Sequence, residues 1–396
     1  MDNQRIPDWA AFYRNRTVFV TGHTGFKGSW LCEWLLALGA KVTGFSQPPE
    51  TEPALFHQLQ LADRIDHQIG DIRDADALGR SLTAADPDII FHLAAQPLVR
   101  RSYLKPDETH EINFLGTVRL LELLRKRFRP CAALVVTSDK CYENIGLPHG
   151  YSENDKLGGH DPYSSSKACA ELVVSSYRRS FFNGHNGNPS SVRIASARAG
   201  NVIGGGDWSE DRIVPDCIRS LLKNEPIGVR NRHAVRPWQH VLEPLSGYLL
   251  LAATIHPDSN TIPPENLHEF DAFNFGPLHD SERSVKELVE EILLHWPGEW
   301  NDSTPEFAPH EAELLTLNVS KAQRLLGWQP RWSFSETVAR TVRWYQQANE
   351  ENPTALANLT RAQIDDYTTL CFNPNKRRKM LKRRNRTRRN KASLIK

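Results

Sequence analysis

A tyrosine and a lysine, Tyr163 and Lys167, stand four residues apart in a segment with a helical pattern. Residues at this spacing share one face of a helix, so we expect the two side chains to lie together. A lysine ammonium beside a phenol favours the phenolate and lowers the pKa of the tyrosine, giving a base that works near neutral pH. The pair indicates proton transfer from a hydroxyl group, although Y-x-x-x-K alone is a common pattern without chemistry.

A second reactive group, Ser138, Asp139 and Lys140, follows an apolar run that predicts a strand over residues 133–137. Burial or a nearby negative charge can raise the pKa of an aspartic acid enough for it to act as a general acid. A lysine acts as a base only where desolvation or nearby positive charge lowers its pKa. Asp139 and Lys140 could therefore exchange protons with a ligand or form a solvated surface pair beyond the strand, and the residues alone leave both interpretations open.

A glycine-rich turn near the N-terminus follows a predicted strand and opens a predicted helix. Its seven residues are Gly22, His23, Thr24, Gly25, Phe26, Lys27 and Gly28. Glycines here permit a tight turn and close approach of the backbone to a pyrophosphate, which the helix N-terminus attracts. The spacing is GxxGxxG instead of the usual GxGxxG. Its position favours a dinucleotide site over a purely structural turn.

NAD is the expected cofactor, although the second predicted strand, residues 41–45, is followed by Ser46 and not by the acid that usually holds the ribose hydroxyls. Ser46 is itself a candidate cofactor residue. Lys27 leaves a phosphate-bearing cofactor open. Asp71 is a candidate partner for the adenine amino group, or else a solvated turn residue. The remaining residues expected at the cofactor are Ile72, Leu93, Ala94, Ala95 and Gln96.

The elements that position these residues alternate between strands and helices, which predicts an α/β fold with a doubly wound parallel sheet. Strands are predicted over residues 17–20, 41–45, 67–70, 88–94, 133–137 and 192–198, with a long helix over 164–177. Residues 1–200, with returns near 238–255 and 271–277, are predicted to form an NAD-binding Rossmann domain. Residues 201–370, where glycines and prolines interrupt the pattern, are predicted to form mainly a smaller, irregular substrate-binding lobe, with helices over 285–294 and 335–348.

The composition is that of a globular protein: 396 residues, 39% hydrophobic and 24% charged. No apolar run is long enough to cross a membrane, and residues 1–16 lack the apolar core of a secretory signal, so we expect a cytoplasmic protein. The six cysteines form no CxxC motif and have no close histidine. Neither a metal site nor a disulfide framework is therefore indicated.

The net charge of +2 hides an asymmetry between the body and the C-terminus. From Lys376 onward there are twelve basic residues and no acid, whereas residues 1–375 carry 37 basic and 47 acidic side chains, a net of −10. Such a run repels itself and buries little surface, so residues 373–396 are predicted to be disordered. The tail could contact nucleic acid or an anionic surface, or be an extension without a role in the chemistry.

Four stretches give the chain a specific family resemblance. They are TSDKCY (137–142), GHDPYSSSK (159–167), RAGNVIGGGDW (198–208) and RPWQHV (236–241). With the glycine turn, they resemble the extended short-chain dehydrogenase/reductase family over residues 17–367. Within it they resemble the NAD-dependent sugar-nucleotide dehydratases that act on CDP-glucose.

That resemblance implies a lyase reaction on CDP-glucose that begins with an oxidation. Tyr163 would take the C4 hydroxyl proton, with Lys167 supporting the phenolate and Ser138 hydrogen-bonding the reacting oxygen. Asp139 would be the acid for the C6 hydroxyl, and Lys140 the base at C5 in place of the glutamate of most relatives.

The resemblance also implies how substrate and subunits bind. Asn201 and Arg236 would anchor the diphosphate, since an arginine fork matches phosphate oxygens; as a loop charge, Arg236 would instead be solvated. A homodimer is expected through the helices that begin near Asp107 and Ser164.

Two other functions stay open on the sequence. A nucleotide-sugar 4-epimerase of the same fold would return the hydride to C4 and needs no acid and base at C5 and C6. A dinucleotide-binding regulator would use the basic tail on nucleic acid, with Tyr163 and Lys167 merely structural.

Overall fold

The structure is a computed structural model that describes residues 8–127, 129–182, 191–277, 279–303, 315–350 and 352–373. The predicted basic tail lies, from residue 374 onward, outside these residues. Most of the loop predicted between the long helix and the sixth strand also lies outside them.

A parallel sheet forms the centre of the molecule. Its seven strands within the described ranges are β1 (Thr17–Thr21), β2 (Lys41–Ser46), β3 (Asp66–Ile69), β4 (Ile89–His92), β5 (Cys131–Val136), β6 (Val192–Ala199) and β11 (Ala272–Phe275). Their order is β11-β6-β5-β4-β1-β2-β3, and every neighbouring pair is parallel. This is the doubly wound order with one strand added, which confirms the predicted α/β class.

Helices connect and cover these strands. They are α1 (Trp9–Phe12), α2 (Phe26–Ala37), α3 (Leu55–Gln58), α4 (Ala75–Ala85), α5 (Val99–Leu104), α6 (Pro106–His110), α7 (Gly116–Arg125), α8 (Pro162–Tyr177), α9 (Ile213–Leu222), α10 (Leu242–Ile255), α11 (Val285–Leu293), α12 (Ser320–Leu326), α13 (Phe334–Asn349) and α14 (Pro353–Phe372). A π-helical segment, Glu111–Leu115, joins α6 to α7.

Short strand pairs follow the sixth strand of the sheet, where the sequence pattern is irregular. They are β7 (Val202–Ile203) with β10 (Gln239–His240), β9 (Val235–Pro237) with β12 (Glu282–Ser284), and β8 (Ile227–Val229) with β13 (Trp300–Asp302). No helix among the described residues is both long and apolar enough to span a bilayer.

Alternation along the strands divides the core between the two faces of the sheet. On β1, Val18 and Val20 face one cluster, which includes Trp30 of α2. Phe19 faces the other, with Leu120 of α7. Covering both faces leaves the ends of the sheet as the place where polar side chains can meet a ligand.

The three glycines at 204–206, in the stretch RAGNVIGGGDW, are buried and tightly packed. A Cβ on Gly205 would come within 2.0 Å of the Trp344 ring, and Gly206 has a φ of +84°. The Trp30 indole donates a hydrogen bond to the Gly205 carbonyl at 2.9 Å. These contacts join the segment after β6 to α2 and α13 and hold one wall of the site in place.

Candidate active site

The carboxyl ends of β1, β4, β5 and β6 open into a cleft of about 1720 Å³. This is the sheet edge where doubly wound folds bind ligands. The predicted residues on its surface are Phe26, Lys27, Ser138, Asp139, Lys140, Tyr163, Asn201 and Arg236. Residues that were predicted from distant segments of the chain therefore line one cavity.

The turn after β5 places Ser138, Asp139 and Lys140 at the cleft. The Ser138 hydroxyl donates to the Asp139 carboxylate at 2.9 Å and accepts from the Lys140 amide at 3.2 Å. The carboxylate packs over Gly200, where an added Cβ would come within 2.3 Å of Oδ2. Only glycine at that position leaves room for the acid.

Asp139 is 3% exposed, and this burial raises its pKa against the opposing charge of Lys140 and the hydrogen bond from Ser138. A raised pKa lets the carboxyl group hold a proton closer to neutral pH, as a general acid must. Lys140 is half-buried and lines the same cleft. The acid and base candidates therefore reach the cavity from adjacent residues.

Helix α8 begins at Pro162, so Tyr163 lies in its first turn and lines the cleft. Asp161 caps the helix by accepting from the Ser164 amide at 2.9 Å, and Pro162 occupies the first turn. Burial raises the pKa of Tyr163 to about 12, opposed by a hydrogen bond with Ser138. The expected lowering of this pKa is thus wrong for the structure, because desolvation of the phenolate outweighs the nearby donors and cations.

Lys167 lies one turn further along α8 and is 5% exposed. It is absent from the residues lining the cleft, which places it behind that surface. Burial lowers its pKa to about 8, and the Glu171 carboxylate opposes that shift. The ammonium thus lies closer to losing its proton than a surface lysine does.

The glycine turn fits the pyrophosphate of a dinucleotide. Gly25 caps α2 without a side-chain hydrogen bond, so the first amides of the helix remain available to an anion. A Cβ on Gly28 would come within 2.1 Å of the Gly22 carbonyl oxygen, and Gly22 has a φ of +74°. The backbone forms a cradle that larger residues would fill.

Other predicted cofactor residues lie along the same edge, outside the surface of the cleft. The Thr24 and Ser46 hydroxyls are 2.9 Å apart and hydrogen-bonded. Asp71 accepts from Gln47 at 2.6 Å and pairs with Arg73 at 2.6 Å. Burial acts to raise the pKa of Asp71, but these two partners hold it below the usual range. Its carboxylate is therefore ionised and already has partners.

The remaining predicted cofactor residues differ in how their side chains are used. His23 is buried and its Nε2 lies 2.7 Å from His67 Nδ1, while Ile72 packs in the core. Leu93, Ala94 and Ala95 follow β4 and are half-buried. The Gln96 side chain donates to Thr109 at 2.9 Å, so its amide serves the loop itself. Among the described residues, no cluster of His, Cys, Asp and Glu is placed to hold a metal.

The substrate candidates reach the cleft from the segments after β6. Asn201 follows β6 closely, and Arg236 lies on β9, half-buried, with Nη1 donating to the Val235 carbonyl at 2.9 Å. Sequence reasoning missed Arg212, which also lines the cleft and pairs with Asp207 at 2.8 Å. Arg212 directly precedes the periodic apolar residues of α9, but that pattern predicts only a helix and gave no signal for a ligand-facing side chain.

A buried ion pair behind the turn was also missed. Glu171 and Arg198 approach to 2.7 Å, with side chains 2% and 4% exposed. Glu171 repeats the four-residue spacing of Tyr163 and Lys167, so the same helical rule could have found it. Arg198 was noted only as part of a motif. His240, in the stretch RPWQHV, is buried against Trp30 and Trp332 and accepts from the Leu242 amide.

Comparisons with known proteins show the family to which this chain belongs. The family model described as GDP-mannose 4,6 dehydratase matches residues 19–341. CDP-glucose 4,6-dehydratase of Salmonella typhimurium is 46% identical over 336 residues, covering 85% of this chain and 92% of that protein.

Solved structures of similar fold include a dehydratase and an epimerase. The dTDP-glucose 4,6-dehydratase of Streptomyces venezuelae with NAD bound has a TM-score of 0.70 at 25% identity, covering 86% of this chain and 99% of that one. The UDP-glucose 4-epimerase of Thermus thermophilus, in complex with NAD, has a TM-score of 0.70 at 23% identity, covering 84% and 99%. The second likeness shows the shared fold alone.

Proposed function

Because the chain belongs to the GDP-mannose 4,6-dehydratase family, we propose that it is an NAD-dependent CDP-glucose 4,6-dehydratase. It converts CDP-D-glucose to CDP-4-dehydro-6-deoxy-D-glucose and water, a step toward deoxysugars of cell-surface polysaccharides. The observation that carries the proposal is the convergence of Ser138, Asp139, Lys140 and Tyr163 on one cleft at the sheet edge.

NAD fits the glycine cradle and the uncapped start of α2, where the first amides of the helix and Lys27 would hold its pyrophosphate. When bound, NAD supplies a positively charged ring that accepts the hydride from C4 and returns it at C6. The sheet region holds this cofactor, and residues 201–370 mainly hold the sugar nucleotide, with Asn201 and Arg236 at the diphosphate.

The first task of the protein is to remove a proton from the C4 hydroxyl. Tyr163 takes that proton, with Ser138 hydrogen-bonding the reacting oxygen. Because burial raises the pKa of Tyr163 to about 12, this step needs the positive charges of Lys167 and of bound NAD to stabilise the phenolate. Oxidation at C4 makes the neighbouring C5 hydrogen acidic. An ordinary side chain can then remove it.

The second task is the elimination of water across C5 and C6. Asp139, with its raised pKa, donates a proton to the departing C6 hydroxyl. Lys140, which lines the same cleft, accepts the C5 proton. Lys140 then returns a proton to C5 as C6 receives the hydride, which completes the 6-deoxy sugar. In heavy water that proton is a deuteron.

The test is incubation with CDP-glucose in heavy water, followed by mass spectrometry and NMR of the product. The proposal predicts a product lighter by one water with deuterium at C5. Formation of CDP-galactose would instead identify a 4-epimerase. Faster turnover of dTDP-glucose or GDP-mannose would overturn the choice of nucleotide.

We also propose a homodimer that acts in the cytoplasm. Leu104, Leu115, Leu172 and Phe181, on the helices around α6 and α8, are large apolar side chains exposed to solvent, and a partner copy would cover them. Light scattering that finds a monomer at working concentration would refute the dimer. All six cysteines are free thiols, as expected in a reducing compartment.

A further inference from the structure

The carboxylate of Glu171 joins three elements that carry the candidate site. Glu171 lies on α8, one turn beyond Lys167. It accepts hydrogen bonds from Thr137, directly after β5, at 2.5 Å and from Ser196 on β6 at 2.7 Å. Arg198, also on β6, pairs with it at 2.7 Å. All four side chains are buried, and we call them the Glu171 cluster.

The same cluster holds the far end of the catalytic turn. Arg198 donates from Nη1 to the Tyr142 hydroxyl at 2.6 Å, and Tyr142 directly follows the short helix Asp139–Cys141. The Tyr142 hydroxyl in turn donates to Asn274 of β11 at 2.8 Å. Thr137 and Tyr142 therefore fix the turn on both sides of Ser138 and Asp139, and both do so through one ion pair.

We propose that Glu171 is a positioning residue for the reaction, which holds the Ser138–Asp139 turn against the helix that carries Tyr163. The inference rests on the proposed function. Proton transfer to the substrate depends on where the acid and the hydrogen-bonding hydroxyl lie, and a small misplacement can slow a reaction by about 100-fold. Glu171 also raises the pKa of buried Lys167 against the effect of burial, which favours the ammonium form.

A purely structural ion pair makes a different prediction from a positioning residue. If Glu171 only stabilised the fold, losing either of its hydroxyl partners would have the same effect on turnover. If it positions the turn, the bond from Thr137 matters most because Thr137 precedes Ser138, whereas Ser196 reaches the turn only through the Glu171 oxygen that it shares with Arg198.

The experiment compares Thr137→Val, Thr137→Ser and the matched control Ser196→Ala in the full-length protein. Thr137→Val keeps the side-chain volume and removes the donor, so kcat for CDP-glucose should fall about 10- to 100-fold with KM nearly unchanged. Thr137→Ser restores the hydroxyl and should recover most of kcat. Ser196→Ala should lower kcat less than Thr137→Val does, since Ser196 shares Oε2 of Glu171 with Arg198 and reaches the turn only through Arg198 and Tyr142.

Hydrogen–deuterium exchange of the segment 138–142 provides a readout that needs no turnover. Exchange there should be faster in Thr137→Val than in Ser196→Ala or the unaltered protein. Equal exchange in all three, or equal losses of kcat in Thr137→Val and Ser196→Ala, would overturn the inference. If the unaltered protein fails to convert CDP-glucose, the proposed function fails, and the exchange contrast still decides whether Glu171 holds the turn.

Discussion

Two buried glutamates, one on each side of the sheet, show how differently similar burial can be used. Burial acts to raise the pKa of Glu171 on α8, but its ion pair with Arg198 and its hydroxyl donors outweigh desolvation and lower it. Glu243 of α10 is 1% exposed and accepts from the backbone amides of Arg331 and Trp332 and from the Tyr367 hydroxyl. Burial raises the pKa of Glu243 to about 7.

The charge of these two buried carboxyl groups therefore depends more on whether a cation lies close by than on how deeply each group is buried. Glu171 is an ionised anchor beside the candidate site. Glu243 joins α10, the segment at 331–332 and α14, and its partners are neutral amides and a phenol. The first ties the reacting groups together, and the second ties the C-terminal helices to the core.

The largest expected effect is on kcat, and it distinguishes two tyrosines. Tyr163 lies on the same side of the sheet as Glu171, and Tyr367 lies on the same side as Glu243. Tyr163→Phe removes the proposed base and should lower kcat about 1000-fold while NAD binding, measured by calorimetry, is kept. Tyr367→Phe removes a buried donor to Glu243 and should lower the melting temperature with little change in kcat. A Tyr163→Phe protein that still turns over at the normal rate would break the division between the two regions.

Removing the Arg198 cation should raise the pKa of Glu171, as burial raises the pKa of Glu243. Arg198→Met leaves a buried carboxylate without its charge partner, and we expect a loss of about 3–5 kcal/mol in the free energy of unfolding at neutral pH. The folded pKa of Glu171 would then be raised, so its contribution to stability would fall as the pH rises. Urea unfolding at pH 5 and pH 8 measures this, and an equal loss at both pH values would contradict the assignment of charge.

Replacing Glu243 by a neutral residue should raise the free energy of unfolding at pH 8, whereas replacing Glu171 should lower it. The pKa of Glu243 is raised from 4.5 to about 7 in the folded protein, so its stabilising contribution is present below pH 4.5 and is lost as the pH rises through 7. Glu243→Gln should therefore remove a penalty of about 3 kcal/mol at pH 8. Urea unfolding should show a gain for Glu243→Gln and a loss for Glu171→Gln, and losses in both would refute the comparison.

The smallest effect should come from the basic tail beyond α14. The Tyr367 bond to Glu243 anchors that helix within the described residues, and a stop codon after Asn373 leaves it intact. We expect kcat and melting temperature to change by less than the error of a steady-state assay and a thermal scan. A large loss of turnover would mean that the tail belongs to the catalytic unit.

The sequence predicted the parallel strands and the residues that meet at their ends. Buried parallel strands are short β-rich runs, and the predicted return at 271–277 contains β11, Ala272–Phe275. The boundaries shifted by up to two residues, as at β5, which begins at Cys131 among weak β formers. Local patterns were sufficient to predict these strands because a run of apolar, β-forming residues is visible within a short stretch of sequence.

The electrostatics of the site could not be predicted in the same way. The pKa of Tyr163 depends on how deeply α8 is buried, and Glu171 meets Arg198 across 27 residues of sequence. Arg212 reaches the cleft from a segment without regular structure before α9. Such properties follow from how distant segments pack, which no local pattern encodes.

The central claim is that one hydride leaves C4 and returns to the same sugar at C6. Incubation of the protein with CDP-[4-²H]glucose, followed by NMR of the product, tests it directly. The account predicts deuterium in the C6 methyl group of the 4-keto product. Deuterium that stays at C4, or that is lost to the solvent, would contradict it.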